Sequence, residues 1–226
     1  MVDVWATGSS NKYYFRVSPK PKPGPLINHI TFPLTFSYLN TISKNMILPG
    51  HSLVARKIIN GLISPSLQIQ PCGVDLTLKK VLTWTSAGAV DLDNSQRQAA
   101  STKEIAFVST ETPALSDTAE TSKANHGAVH LPQGSYLVEF NETVSVPLDV
   151  MGQLFVRSSL FRSGALMNAG VMDSGYNGSV GALLQVLNPS GLRLYKNARL
   201  AQFVFHQMSE PVDGYKGVYQ GSTTIG

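Results

Sequence analysis

Residues 135–156 read SYLVEFNETVSVPLDVMGQLFV, two β-type runs on either side of a proline. Similar short runs, bounded by Gly, Pro and Asn, recur along the chain from Gln68 onward. These runs lie at Val74–Leu82, Ser135–Val146, Gly152–Val156, Ser179–Leu187 and Arg199–Phe205. Short strands without long helical segments are typical of sandwiches and barrels. The sequence therefore predicts an all-β fold.

Two segments outside these runs have their own patterns. His51–Leu62 (HSLVARKIINGL) predicts a short amphipathic helix that ends at Gly61. Asp93–Ala128 is rich in Ser, Thr, Ala and Asn and is interrupted only by Ile105–Val108. That composition predicts a long surface excursion around one short strand.

The net charge of +4 is confined to the N-terminal 45 residues. They carry five Lys or Arg side chains against Asp3 alone, which is 5 − 1 = +4, so 13 basic and 13 acidic side chains remain elsewhere. The segment is Pro-rich from Ser18 to Pro25, and organised patterning begins at Met46. We therefore predict that residues 1–45 are a flexible extension or a start-site artefact. The neutral remainder lacks the basic stripe that polynucleotide binding requires.

Composition and missing motifs exclude several classes of function. A length of 226 residues with 42% apolar composition fits one globular domain. Neither a run of eighteen apolar residues nor a signal-peptide pattern occurs, so we expect a cytoplasmic protein with no membrane partner. The phosphate-binding loops G-x-x-x-x-G-K-[ST] and G-x-G-x-x-G are absent. Cys72 is the single cysteine, so the two-cysteine zinc signature of cytidine-type deaminases is absent as well.

Five polar segments in the β-type sequence carry the functional signal. Taken singly, each is typical of a helix cap, a hairpin turn or a disordered end. Together and in this order they resemble the five motifs of the dUTPase and dCTP deaminase superfamily, from Met46 to the C-terminus apart from much of 93–128. The segments are QPCGVDL from Gln70, RSSLFRSG from Arg157, AGVMDSGYNG from Ala169, ARLAQF from Ala198 and GVYQGSTT from Gly217.

The resemblance implies a particular architecture. Residues 46–214 would form the dUTPase-like β-clip, a distorted jelly roll or β-barrel, in a homotrimer. Residues 215–226 would form a C-terminal arm that closes over a neighbouring active site.

The resemblance also implies an activity: hydrolysis of dUTP to dUMP and pyrophosphate with Mg²⁺. This reaction limits uracil in DNA and supplies dUMP for dTTP synthesis. Asp173 would orient and activate the attacking water, and the triphosphate itself would hold most of the magnesium. Tyr176 would pack under the deoxyribose, and the backbone of Asn168 and Gly170 would meet the uracil edge. Either Tyr219 or Gln220 would contact the base.

A triphosphate brings about four negative charges, which guanidinium groups, hydroxyls and backbone amides can meet. In the resembled family this task falls to residues of the second, fourth and fifth motifs. Lys216 stands where dUTPases usually have arginine, so a point charge replaces a bidentate fork. The corresponding residues here are Arg157, Ser158, Ser159, Gln202, Lys216, Ser222 and Thr223.

Deamination of dCTP is the alternative reaction in this superfamily. The deaminase branch supplies a glutamate as proton shuttle on the third-motif strand, where this chain has Gln185 or Leu183. The sequence contains no Asp or Glu between Asp173 and Glu210, which favours the hydrolase. However, Ser158 and Arg162 stand where deaminases use them, so a deaminase or bifunctional enzyme stays open. A catalytically silent nucleotide-binding regulator on the same fold also stays open.

Overall fold

The computed structural model describes residues 46–108 and 127–225, together with two strands near the N-terminus. The chain divides into two compact units, Met1–Ile42 and Ser43–Gly226. In the first unit, β1 (Val2–Trp5) pairs antiparallel with β2 (Tyr14–Val17). The rest of 1–45 lies outside the described residues, so the flexible-extension hypothesis stays a prediction.

The described part of the second unit is built almost entirely of strands. Its three helices are short and lie at α1 (Gly50–Ala55), α2 (Pro65–Gln68) and α3 (Ser158–Arg162). The strands are β3 (Ile59–Asn60), β4 (Ile69–Gln70), β5 (Gly73–Trp84), β6 (Thr102–Ile105), β7 (Ala128–Leu131), β8 (Gly134–Ser145), β9 (Val150–Val156), β10 (Ala165–Asn168), β11 (Asn177–Val186), β12 (Leu192–Tyr195) and β13 (Arg199–Gln207).

One antiparallel sheet curls into a nearly closed barrel. Its strand order is β10-β11-β8-β5-β13-β9, and the strands at its two ends, β9 and β10, contact each other. The short strands β3, β4 and β6 add to this sheet, and β7 pairs with β12 beside it. The predicted all-β barrel-like fold is confirmed.

The barrel is filled by apolar side chains from alternate positions of the long strands. Leu76 and Leu78 of β5, Phe140 of β8, and Phe203 and Phe205 of β13 are all at most 1% exposed. The last two rings pack with their centroids 4.5 Å apart. Each such side chain contributes about 1.5–3 kcal/mol by leaving water, so this cluster dominates the stability of the sheet.

A buried polar network fixes β5 against β8. The Glu142 carboxylate accepts hydrogen bonds from Thr77 N at 2.8 Å, Thr77 Oγ1 at 2.6 Å and Gln68 Nε2 at 2.6 Å. All three side chains are at most 3% exposed. Breaking any of these hydrogen bonds would leave a buried polar group without a partner, which is costly. The network therefore holds in place the strand that carries the first motif.

The predicted helix over His51–Leu62 is wrong in length. The observed helix ends at Ala55, and Lys57 adopts a left-handed backbone with φ of 56°. The chain then enters β3 with Ile59 fully buried, so burial of an isoleucine pair overrides the helical pattern.

The 93–128 excursion is described only in part. Its strand lies at Thr102–Ile105 and pairs with the end of β5, earlier than the predicted Ile105–Val108. Val108 instead forms a single bridge with Ala128. Residues 109–126 lie outside the described residues. Among the helices that the structure describes, none has the length and apolar character to span a membrane.

Candidate active site

The turn between β10 and β11, residues 169–176, is anchored by bonds to the first half of β9 and to the β8–β9 connection. Met172 forms a two-bond bridge with Gly152, both bonds 2.9 Å long. Ser174 Oγ donates to the Val150 carbonyl at 2.7 Å, and Gly175 N donates to the Val146 carbonyl at 2.9 Å. Gly175 has φ of 81°, a conformation that suits glycine. The turn therefore has a fixed position on the barrel.

Asp173 lies at the outer side of this turn with its side chain exposed. Its carbonyl accepts a hydrogen bond from Tyr176 N at 3.2 Å, which closes the turn. The next residue, Ser174, is 5% exposed, so one residue faces the barrel and its neighbour faces solvent. A carboxylate held on a rigid turn and open to water suits a general base.

Tyr176 packs at the base of the same turn and is 7% exposed. Its hydroxyl donates to the Ser179 carbonyl at 2.8 Å, and its ring meets the edge of Tyr215 with centroids 5.6 Å apart at 80°. Burial, and secondarily the neighbouring Tyr215, raise the pKa of Tyr176 above its usual value. The hydroxyl therefore stays protonated and acts as a structural donor beneath Asp173.

A cavity of about 620 Å³ opens beside this turn. The turn, the outer face of the sheet, the 85–101 loop and the C-terminal arm (residues 215–225) all contribute walls. Six residues predicted from sequence come together in its lining: Asn168, Gly170, Asp173, Tyr176, Tyr219 and Ser222. Several other lining residues were not predicted from the sequence: Trp84, Ala99, Ala100, Leu137, Tyr215, Thr224 and Ile225.

Gly170 is the most open backbone in the turn. A side chain built there would meet no atom within 4 Å. Asn168, two residues earlier, ends β10 opposite Leu183 of β11. The backbone between them thus borders the cavity with room for a planar ligand edge.

The second cluster of predicted residues lies around a buried aspartate. Asp75 Oδ2 is 3.0 Å from Arg157 Nε and 3.2 Å from Arg199 Nη1, and the Asp75 side chain is 3% exposed. Arg157 Nη1 also donates to the Arg199 carbonyl at 3.0 Å. Burial raises the pKa of Asp75, and the two arginines only partly offset that effect.

The remaining residues of this second cluster lie next to that ion triad. Gln202 pairs with Asp75 of β5 on one side and with Phe155 of β9 on the other. Ser158 and Ser159 are exposed in the first turn of α3, directly after Arg157. Arg157, Ser158, Ser159 and Gln202 are not among the residues that line the cavity. The predicted site is therefore divided into two clusters on one chain.

The C-terminal arm packs on its own chain. Tyr215 N donates to the Ser174 carbonyl, Gly221 N to the Asn177 carbonyl, and Ser179 N to the Ser222 carbonyl, each at 2.8 Å. Gln220 bridges arm and turn, since its Nε2 donates to the Gly175 carbonyl and its Oε1 accepts from Asn177 N, both at 2.9 Å. The predicted crossing to a neighbouring subunit concerns an assembly of chains and stays a prediction.

Tyr219 and Lys216 have different surroundings in the arm. Tyr219 lines the cavity, its hydroxyl accepts from Arg97 Nη2 at 2.9 Å, and the same guanidinium lies 4.8 Å from its ring centroid. Lys216 is 81% exposed and lies 3.6 Å from Asp213. Thr223 faces a second, polar cavity of about 290 Å³ that Lys79 also lines.

The carboxylate that β11 lacks is present on the adjacent strand. Leu183 lines the cavity, whereas Glu139 of β8 lies opposite Gly181, two residues away. Glu139 is fully buried, and sequence spacing gave no signal for it because the contact is made across strands. Within the described ranges, no group of three or more His, Cys, Asp or Glu side chains is arranged to hold a metal ion.

The barrel with its cavity and ion triad defines an all-β protein with a candidate binding site, and comparison with known proteins names its family. The dCTP deaminase-like family matches residues 47–208, so the chain belongs to that family.

Among its relatives is a probable deoxyuridine 5′-triphosphate nucleotidohydrolase of Methanosarcina mazei, 39% identical over 74% of this chain and 89% of the relative. The deoxyuridine 5′-triphosphate nucleotidohydrolase of Methanocaldococcus jannaschii is 34% identical over 68% of this chain and 88% of the relative. The crystal structure of a 2′-deoxycytidine 5′-triphosphate deaminase from Agrobacterium tumefaciens has the same fold, with a TM-score of 0.50 and 17% identity. That match covers 72% of this chain and 48% of the deaminase chain.

Proposed function

We propose that this protein is a dUTP diphosphatase, which hydrolyses dUTP to dUMP and pyrophosphate. The observation that carries the proposal is the exposed Asp173 carboxylate on a fixed turn at the wall of the 620 Å³ cavity. The names of the archaeal relatives agree with it. The reaction belongs to nucleotide metabolism, so we place the protein in the cytoplasm.

The nucleoside would occupy the cavity. The open backbone at Gly170 and the end of β10 at Asn168 offer amide and carbonyl groups to a uracil edge. The ring of Tyr176 lines the cavity, where it would pack under a deoxyribose that lacks a 2′-hydroxyl. Tyr219 is the better candidate for contact with the base, because the Gln220 amide is already bonded to the turn at both of its ends.

Asp173 would take a proton from the water that attacks the α-phosphorus. Its carboxylate is exposed, so a water molecule can lie between it and a triphosphate at the mouth of the cavity. A positioned base of this kind contributes about 10²- to 10⁴-fold to the rate. Tyr176 holds the turn from below and keeps the carboxylate oriented.

Magnesium would enter with the substrate, since triphosphate oxygens are ligands that this hard cation prefers. The oxygen donors at the cavity, the Asp173 carboxylate and the Ser222 hydroxyl, fit such a cation or its water shell. When bound, it would neutralise charge on the leaving pyrophosphate.

Arg157, Ser158, Ser159 and Gln202, together with Lys216, Ser222 and Thr223 of the arm, would bind the triphosphate. Because the first four lie outside the cavity lining of their own chain, a complete site needs a second chain beside the first. We therefore propose a homotrimer in which the Arg157 cluster of one subunit faces the Asp173 cavity of the next.

Deamination of dCTP is the second candidate, because the family match carries that description and Ser158 is exposed directly after Arg157 in the chain. Leu183 on the cavity wall argues against it, since an apolar side chain cannot shuttle a proton. A silent nucleotide-binding regulator would bind dUTP without turnover.

One assay separates these functions. The protein is incubated with Mg²⁺ and dUTP, dCTP, dTTP or UTP, and the products are separated by chromatography. We expect dUMP and pyrophosphate from dUTP and no reaction with UTP. Asp173→Asn is expected to lose at least hundreds-fold in turnover while still binding dUTP.

Asp93→Asn, which neutralises an exposed carboxylate outside the cavity lining, is the matched control and should keep wild-type turnover. Pyrophosphate release by Asp173→Asn within tenfold of wild type would exclude Asp173 as the base. Production of dUTP from dCTP would instead establish the deaminase.

A further inference from the structure

Glu139 is a carboxylate buried inside the sheet. It lies in the middle of a long strand, is fully buried, and has Lys79 Nζ at 2.5 Å from Oε1. Its other oxygen, Oε2, accepts hydrogen bonds from Thr224 Oγ1 at 2.9 Å and Ile225 N at 3.4 Å. A buried carboxylate is costly unless both of its oxygens accept hydrogen bonds or ion pairs. Here the arm provides the hydrogen bonds to one of the two oxygens, Oε2.

Gly181, opposite Glu139 on β11, provides the space for the same arm residues. A Cβ at position 181 would lie 2.1 Å from Ile225 Cδ1 and 3.0 Å from the Val138 carbonyl oxygen. The missing side chain thus leaves a groove that the Ile225 side chain fills. Glycine in a strand often marks such a close approach.

The docked arm also forms one wall of the cavity. Tyr219, Ser222, Thr224 and Ile225 all line it, and the last two are the residues that contact Glu139 and Gly181. Without this docking, the cavity would lose the part of its wall that these arm residues form. The position of the arm and the shape of the nucleoside site therefore depend on the same few contacts.

We propose that Glu139, held by Lys79, is a positioning residue that docks residues 224–225 and thereby closes the C-terminal arm over the nucleoside cavity. Burial alone would raise the pKa of Glu139, but the hydrogen bonds from Lys79, Thr224 and Ile225 outweigh it and lower the pKa below its usual value. Glu139 is therefore ionised at neutral pH, and its bonds to the arm are charge-assisted.

The test measures arm docking directly, by hydrogen exchange of a peptide covering residues 217–226 in the full-length protein. In Glu139→Gln we expect the arm amides to exchange about tenfold faster or more, the range that a charge-assisted bond to a buried carboxylate supports. Glu104→Gln is the matched control, because Glu104 forms a Lys–Glu pair with Lys80 on the same sheet but is half exposed and outside the cavity lining.

Glu139→Gln changes the sheet and could impair folding, so two substitutions at Thr224 test the same contact from the arm. Thr224→Val removes the hydroxyl donor and should accelerate exchange, whereas Thr224→Ser keeps it and should exchange like wild type. Gly181→Ala should displace Ile225 and act in the same direction as Glu139→Gln. Unchanged exchange in both Glu139→Gln and Thr224→Val would overturn the proposal.

The kinetic consequence rests on the proposed dUTP hydrolysis. We expect KM for dUTP to rise about tenfold in Glu139→Gln and Thr224→Val with kcat within about threefold of wild type, since bound triphosphate itself helps to hold the arm. A general loss of folded protein would lower kcat and leave KM unchanged. Faster exchange with an unchanged KM would overturn the positioning role.

If the wild type does not hydrolyse dUTP, the proposed function fails, and the exchange comparison still decides whether Glu139 docks the arm.

Discussion

The ion triad predicts that two substitutions that remove ion pairs of Asp75 have different effects on stability. Asp75→Asn keeps the shape of the side chain and removes its charge. The lost ion pairs are each worth about 0–1 kcal/mol, because Arg157 and Arg199 are 28% and 31% exposed and can be hydrated. In return, the substitution removes the desolvation cost of a carboxylate that is 3% exposed. These terms oppose each other, so we expect a change in unfolding free energy of less than about 1 kcal/mol.

Removal of one arginine is expected to cost more. Arg157→Met keeps an apolar stem but leaves the buried carboxylate with a single guanidinium partner. Loss of one partner from a fully buried pair costs about 3–5 kcal/mol, and the partial exposure of Arg157 reduces this to about 2–3 kcal/mol. The raised pKa of Asp75 agrees in sign, because it means that the folded protein favours the neutral form.

Urea unfolding at pH 7.5, followed by circular dichroism, measures both effects. All variants must be compared at one protein concentration, because the stability of the proposed homotrimer would depend on mass action. If Asp75→Asn destabilises the protein more than Arg157→Met does, the ion pairs outweigh desolvation and the reasoning is refuted.

Three further predictions concern pH, the N-terminus and the assembly. Because the pKa of Asp75 is raised above 3.8, the folded wild type binds a proton more readily than the unfolded chain. Wild type should therefore gain stability relative to Asp75→Asn as the pH falls through that raised pKa. A difference between their unfolding free energies that stays constant from pH 7.5 down to pH 3.8 would contradict this. A protein beginning at Met46 should fold and turn over dUTP like the full chain, and loss of either property would show that residues 1–45 are integral. Mixed trimers can be formed from Asp173→Asn and a chain truncated after Gly214. If the arm closes over its own cavity, as the bond from Tyr215 N to the Ser174 carbonyl favours, these mixed trimers should recover no turnover. A mixture of Asp173→Asn with Gln202→Ala should instead recover a fraction of the turnover. If the mixture of Asp173→Asn with the truncated chain recovers turnover under demonstrated subunit exchange, the arm crosses to a neighbouring subunit, as the family resemblance implies.

The sequence was sufficient where local pattern and local chemistry coincide. Asp173 and Tyr176 are three residues apart, so one turn brings both to the cavity, and the motif predicted them together. The strand predicted at Val74–Leu82 is observed at Gly73–Trp84, because Val74, Leu76 and Leu78 alternate with polar residues, which is the period of a strand. The end of the first helix was not predictable in this way, since Lys57 takes a left-handed backbone that its residue type does not favour.

The missed residues reach the cavity through strand register. Trp84 comes to it at the end of β5, and Glu139 comes to the arm through its pairing with Gly181 on β11. A one-residue change in register would turn each of these side chains to the other face, and the sequence alone does not fix that choice. That the Arg157 cluster does not line the cavity could not be predicted from the sequence for the same reason.

The entropy lost in ordering the turn that carries Asp173 is separate from the entropy lost in ordering the arm. The bonds from Ser174 to Val150 and from Gly175 to Val146 form when the barrel folds, so the orientation of the carboxylate costs no further conformational freedom when a nucleotide arrives. The arm, by contrast, docks through a few bonds near the end of the chain, so whatever freedom it has when undocked is lost at the expense of binding energy. Evolution or design could therefore tune affinity through the arm while the reacting geometry stays constant, because the two are ordered at different stages.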